Sequence, residues 1–134
     1  MAHPWLPGFL SDLDATPLDD GVHWRLNMGF TYETLMIPAA YGAAVFTVPA
    51  GFITDFASIP RWLWSVVGAP TGWYTKPSCL HDYCFDTFGI ATFAQANALF
   101  LESMRLCGHH NALQRWALFR GVSLFGRSSY KGGL

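Results

Sequence analysis

Charge is scarce in this chain. Asp, Glu, Lys and Arg make up 13% of the residues, against roughly 25% in a typical globular domain. The cations form no block and the formal net charge is −1, so the electrostatic footprint of a nucleic-acid-binding protein is missing. Long apolar runs are absent as well. None approaches the ~18 residues that would suggest a membrane-spanning helix. The opening Met-Ala-His-Pro-Trp has no basic segment followed by an apolar one, so no secretory signal is expected. Cysteine is limited to Cys79, Cys84 and Cys107. An odd count with no signal argues against a disulfide framework and for synthesis in a reducing cytoplasm, and the spacing fits no zinc motif. Buried free thiols are the expectation.

What the chain does have is apolar and aromatic bulk. Hydrophobic residues make up 51%, with six Trp and eleven Phe in 134 residues. That length suits a single domain spanning 1–134. Such a composition implies either a dense aromatic core or a surface covered by a partner, since aromatic side chains are enriched at interfaces. The amphiphilic run Arg61-Trp-Leu-Trp-Ser-Val-Val67 suits core packing, and it equally suits contact with a membrane surface or a partner.

Residues 1–21 are rich in Pro, Gly and Asp, including Asp12, Asp14, Asp19 and Asp20. They read as an irregular arm whose acidic spacing fits no EF-hand loop. Residues 22–60 read as a β portion. His23 to Leu35 and Tyr41 to Val48 are rich in aromatic and β-branched residues and predict strands. Pro49-Ala50-Gly51 predicts a turn, and Ile59-Pro60 a further bend. Residues 74–126 read as helices. Pro77 suits a first helical turn, and His81, Cys84, Phe85 and Phe88 follow with helical spacing up to Gly89. Thr92 with Gln95 is a capping-box pattern. It opens a helix whose stripe is Ala96, Leu99, Phe100, Ser103, Met104 and Cys107, stopped by Gly108. Asn111 caps a third helix running through Leu113, Trp116, Ala117, Arg120 and Leu124 to Gly126. The expected architecture is α+β: a small N-terminal antiparallel β unit followed by a three-helix portion. Short connectors make successive helices antiparallel neighbours.

Polar residues placed in apolar runs mark the candidate site, because burying them is costly unless they are paired or ligated. His81 and Asp82 are adjacent on a helix and point about 100° apart. They therefore do not bond each other but flank one site from two sides. Imidazole suits general-base work near neutral pH. Carboxylates suit calcium and imidazole suits zinc, so those two metals are the cofactors the donor set admits. Asp55 and Ser58 lie on a loop bounded by Gly51 and Pro60, ahead of Arg61. A carboxylate there serves either as a metal ligand or as a purely structural latch through an Asx-type turn and an Arg61 pair. His109-His110 and the cationic ending around Arg120 and Arg127 are weaker candidates.

Four segments together resemble one known family. They are Val48-Pro-Ala-Gly-Phe-Ile-Thr-Asp-Phe-Ala-Ser-Ile-Pro-Arg61, Cys79-Leu-His-Asp-Tyr83, Ala96-Asn-Ala-Leu-Phe-Leu-Glu-Ser-Met104 and Leu124-Phe-Gly-Arg127. This pattern is similar to the domain of unknown function 1353 family of bacteriophages and prophages, over roughly residues 22 to 130. The resemblance implies a viral or prophage origin and brings no established activity. The family's second helix usually carries Asp where this chain has Asn97. Asn can orient an imidazole but supplies no negative charge to an imidazolium. A looser resemblance is to the prokaryotic secreted-type phospholipases. There a helical His-Asp pair faces an Asp on the next, antiparallel helix, and the His activates water beside a calcium ion.

Two functional expectations follow. One is a phage structural or tail-associated protein, made in the bacterial host cytoplasm and bound to other virion proteins, with a hydrolase-like His/Asp site. The other is a metal-assisted hydrolase of a bacterial envelope component, a lipid ester or peptidoglycan. In it His81 is the base, Asn97 the orienting group, and Asp55 and Asp82 the metal ligands.

Overall fold

The computed structural model describes residues 8–21, 23–39, 42–54, 75–107 and 112–134. Among the described residues six short strands precede three helices, so the chain is α+β as expected. The strands are β1 (Gly8–Phe9), β2 (Ala15–Pro17), β3 (Trp24–Leu26), β4 (Phe30–Ala39), β5 (Gly42–Val48) and β6 (Ile53–Thr54). The helices are α1 (Thr75–Asp86), α2 (Phe93–Leu106) and α3 (Ala112–Phe125), followed by a 3-10 turn at Arg127–Ser129. The chain divides into two compact units, 1–53 and 54–134.

The strands form sheets of order β1-β4-β5 and β2-β3-β6, with the unit boundary falling inside β6. Strands β4 and β5 are antiparallel, with Phe30 opposite Val48, Tyr32 opposite Phe46 and Thr34 opposite Ala44. Those six residues are buried, and the residues between them face the other way. This is the period-2 alternation of a half-buried strand. The regularity breaks after Thr34, where the register shifts before Ala39 pairs with Gly42. Phe9 of β1 packs its ring 4.7 Å from Tyr32 and 5.7 Å from Phe30. Part of the segment expected to be an irregular arm is thus paired: β1 lies against β4 and β2 against β3. The strand expected over His23 to Leu35 is two strands, β3 and β4, separated at Asn27–Gly29.

The turn after β5 carries the sequence signature into geometry. Phe52 N donates to Pro49 O at 3.2 Å, and Gly51 sits at φ 87°. A positive φ at the third position of a β-turn is the type II requirement that glycine meets without steric cost.

The helical unit follows its capping signals. Thr92 Oγ1 accepts from Gln95 N at 3.0 Å, and Gln95 Oε1 accepts from Thr92 N at 2.9 Å. This reciprocal pair satisfies two of the orphan donors at the start of α2. Pro77 falls in the first turn of α1, where its missing N–H is harmless. Phe100 and Met104 of α2 pack with Leu118 and Val122 of α3 in a fully buried cluster. The chain leaves α3 through Gly126, where a Cβ would meet Val122 O at 2.5 Å and the Phe85 ring at 3.1 Å. Only glycine fits that approach.

Two helical stripes differ from expectation. Phe88 is 77% exposed because α1 ends at Asp86 and the chain turns at Gly89, φ 84°. It no longer lies on the helical face that buries His81, Cys84 and Phe85. On α3 the buried line is Leu118, Gly121 and Val122, while Leu113, Trp116, Arg120 and Leu124 are exposed. Apolar residues occur on both sides of α3, so periodicity alone does not choose its inner face.

Candidate functional site

The site is built from the middle of α1, the start of α2 and the end of β6, all within the second unit. The apolar stripe of α1 turns Cys79, Leu80, Cys84 and Phe85 inward. His81 and Asp82 lie in the same turns and are carried in with them, at 1% and 6% exposure. The antiparallel start of α2 then presents Asn97, 2% exposed. His81 Nε2 donates to Asn97 Oδ1 at 2.8 Å. The neutral ring is therefore the Nε2–H tautomer, with the lone pair on Nδ1. The imidazole is flanked by two aromatic rings, Phe85 at 4.0 Å and Phe100 at 4.9 Å between centroids.

Asp82 faces a different partner. Thr54 Oγ1, at the end of β6, donates to Asp82 Oδ2 at 2.5 Å, and both residues are buried. The adjacent His81 and Asp82 thus serve two separate bonds, as their divergence on a helix requires. Ser78 lies three residues before His81 and four before Asp82, which puts all three on neighbouring turns of α1. It is 3% exposed, and its hydroxyl is the one buried side-chain polar atom among the described residues with no hydrogen-bond partner.

Burial governs the titration of this region. It pushes His81 down from 6.5 to about 4; the Asn97 bond opposes that fall without reversing it. A neutral amide oxygen cannot pair a positive ring as a carboxylate would. Burial pushes the Cys84 thiol up to about 12, and raises Cys79 further with help from the Asp82 charge. Cys107 is raised by burial against a lowering effect from Lys76. All three cysteines are free thiols, and burial moves each of them away from the low pKa that makes a thiolate reactive.

Of the expected site residues, the structure brings His81 and Asn97 together and places Asp82 on the adjacent position. Gly51 is in the turn described above. Asp55, Ser58 and Arg61 lie outside the described residues, as does the Arg61–Val67 run, and so do His109 and His110. Among the described residues no group of three or more His, Cys, Asp or Glu is arranged to hold a metal ion. No helix among them is long and apolar enough to cross a membrane. Two members of the cluster were not singled out by sequence reasoning. Ser78 was accessible from its i, i+3 and i, i+4 spacing to His81 and Asp82. Thr54 joins Asp82 across 28 positions, a separation that leaves no local signal. Elsewhere, His23 is paired through Nδ1 with Asp20 Oδ2 at 2.5 Å.

Comparison with known proteins places this geometry in a lineage without assigning it chemistry. A 41-residue stretch is 49% identical to the uncharacterized protein y4jT of Sinorhizobium fredii, covering 30% of this chain and 12% of that protein. The chain therefore spans about an eighth of that relative's length. No solved structure matches. The family model described as a protein of unknown function, DUF1353, matches residues 24–122, which takes in most of the β portion, α1, α2 and nearly all of α3. The chain belongs to the DUF1353 family.

Proposed function

We propose that this chain is a bacteriophage structural protein, associated with the tail region, in which the His81 cluster acts as a buried polar latch. The observation that carries the reading is the burial of His81. His81 is 1% exposed, its ring lies tilted against those of Phe85 and Phe100, and it is bonded to a neutral Asn97. A general base works best with a pKa near the working pH, and this imidazole is held at about 4. The missing carboxylate at position 97 points the same way. The family resemblance supports the phage assignment, and the aromatic-rich, charge-poor composition supports burial against other virion proteins. A His81→Gln substitution in the phage or prophage genome separates fold from chemistry. A latch predicts that particle yield follows the variant's stability and recovers when the host is grown cooler. Loss of infectious particles at every temperature, with a folded variant, contradicts it.

One observation favours a second reading, a metal-assisted hydrolase of an envelope lipid ester or peptidoglycan. The unsatisfied Ser78 hydroxyl beside His81 and Asp82 is the kind of buried polar exception that marks a functional site. In this reading the unprotonated Nδ1 of His81 takes a proton from water, Asp82 and Asp55 hold calcium or zinc, and Asn97 orients the ring. Turnover of labelled vesicles or cell walls, lost in His81→Ala and in metal-free buffer, supports it. Equal background hydrolysis in wild type and variant removes it.

A further inference from the structure

The sheet edges of this fold are not equally protected. Among the described residues the outermost strands are β1 and β5 of one sheet and β2 and β6 of the other. An open edge is a template for another strand, and folds blunt it with short strands, proline, charge or bulges. Strands β1 and β6 have two residues each, and β2 has three and ends on Pro17. Strand β5, Gly42-Ala-Ala-Val-Phe-Thr-Val48, has seven residues with no charge and no proline. The extra residues of its register shift lie in β4, and 44–48 pair in unbroken register. Among the described residues no hydrogen bond joins β5 to anything but β4. Alternate residues of β5 therefore point N–H and C=O groups out from an unblunted edge.

Backbone geometry selects an extended strand as the occupant, since only a strand matches a row of edge donors and acceptors. Charge and side-chain size select a second copy of this chain. From position 34 to 54 there is no Asp, Glu, Lys, Arg or His, so two copies meet at this edge without like-charge repulsion. Antiparallel pairing of β5 with itself about Val45 overlaps all seven residues. It sets Val45, 56% exposed, opposite its own counterpart, and the small Ala44 opposite the large Phe46 of the second copy. Ala44, Phe46 and Val48 are buried on one side of β5, while Val45 and Thr47 are exposed on the other. Directly opposed residues share a face, so this register keeps both buried sides together. A two-fold axis also closes the assembly at two chains. We infer that β5 is a dimerisation edge, pairing antiparallel with β5 of a second copy about Val45 and joining two β1-β4-β5 sheets into one. This assignment does not depend on the latch or on catalysis at His81.

The test is the solution mass of the full chain by light scattering across a dilution series, wild type beside Val45→Lys. That substitution sets two ammonium groups opposite each other at the centre of the pairing. The expected result is a wild-type mass of twice 14.9 kDa that halves in the variant, with matching melting curves. A second measurement fixes the register, using Val45→Cys and Thr47→Cys in a Cys107→Ser background under mild oxidation. Opposed Val45 positions lie within disulfide reach, whereas Thr47 stands about 14 Å from its counterpart. Val45→Cys should therefore cross-link into dimers and Thr47→Cys should not. Three results overturn the inference. One is a wild type that stays monomeric at every concentration, which leaves the edge to a strand of another protein or to none. Another is a dimer that survives Val45→Lys with no cross-link through Val45→Cys, which places the contact elsewhere. The third is equal cross-linking of both cysteine variants, which marks collision without a register.

Discussion

Acid should weaken this fold through His81, and the size of the effect can be worked from its environment. Unfolded, the imidazole titrates near 6.5; folded, burial holds it at about 4. Between those values the unfolded chain binds a proton that the native chain does not. Stability therefore rises with pH across the window and falls as pH drops from 6.5 toward 4. The contribution is fully present above 6.5. A shift of that size corresponds to about 3 kcal/mol, lost at up to about 1.4 kcal/mol per pH unit. Against a total of roughly 5–15 kcal/mol for a domain, that loss is large. Other groups titrate in the same range, so the informative quantity is a difference. His81→Gln keeps an N–H donor for Asn97 and removes the titration. Urea unfolding at pH 7, 6, 5 and 4 should give a wild-type stability that falls more steeply than the variant's, the gap closing by about 3 kcal/mol. Parallel pH profiles would refute the claim that His81 is buried and neutral.

Three further outcomes follow from the same contacts. Asn97→Leu strands the His81 N–H in an apolar setting and should cost about 1–3 kcal/mol in chemical denaturation. Thr54→Val removes the hydroxyl that donates to the buried Asp82 carboxylate, and should cost about 1.5–3 kcal/mol; a neutral result would show the bond to be dispensable. Thiol labelling of the native protein at pH 8 should reach the partly exposed Cys107 first and leave Cys79 and Cys84 slow, since burial raises both of the latter. Mass mapping of the labelled cysteines checks the order.

Much of the helical unit is legible because its signals are local. Thr92 and Gln95 sit three apart and cap α2 as that pattern demands, and Gly89 and Gly126 fall just beyond helix ends. The approach of His81 to Asn97 follows from two helices joined by a short connector. Other features depend on contacts far apart in sequence. The Thr54–Asp82 bond needs β6 and α1 to be placed before it exists. The inner face of α3 is decided by Phe100 and Met104 of α2, not by the helix's own pattern, which carries Leu on both sides. The exposure of Phe88 comes from where α1 stops, since one more turn would have kept it on the buried stripe. The β portion was legible as strands but not as two sheets. Its break at Asn27–Gly29 is fixed by tertiary bonds such as Asn27 N to Asp14 O and Leu26 N to Phe52 O, both 2.9 Å.

The proposed place of this protein in a virus particle is tested most directly by a protein census of purified particles. Particles released from the host carrying this gene are banded, stripped of lysate and quantified by mass spectrometry. A virion component predicts this chain at a fixed copy number per particle, retained through repeated purification. Its absence from particles, with the chain left soluble in the lysate, would contradict the structural role.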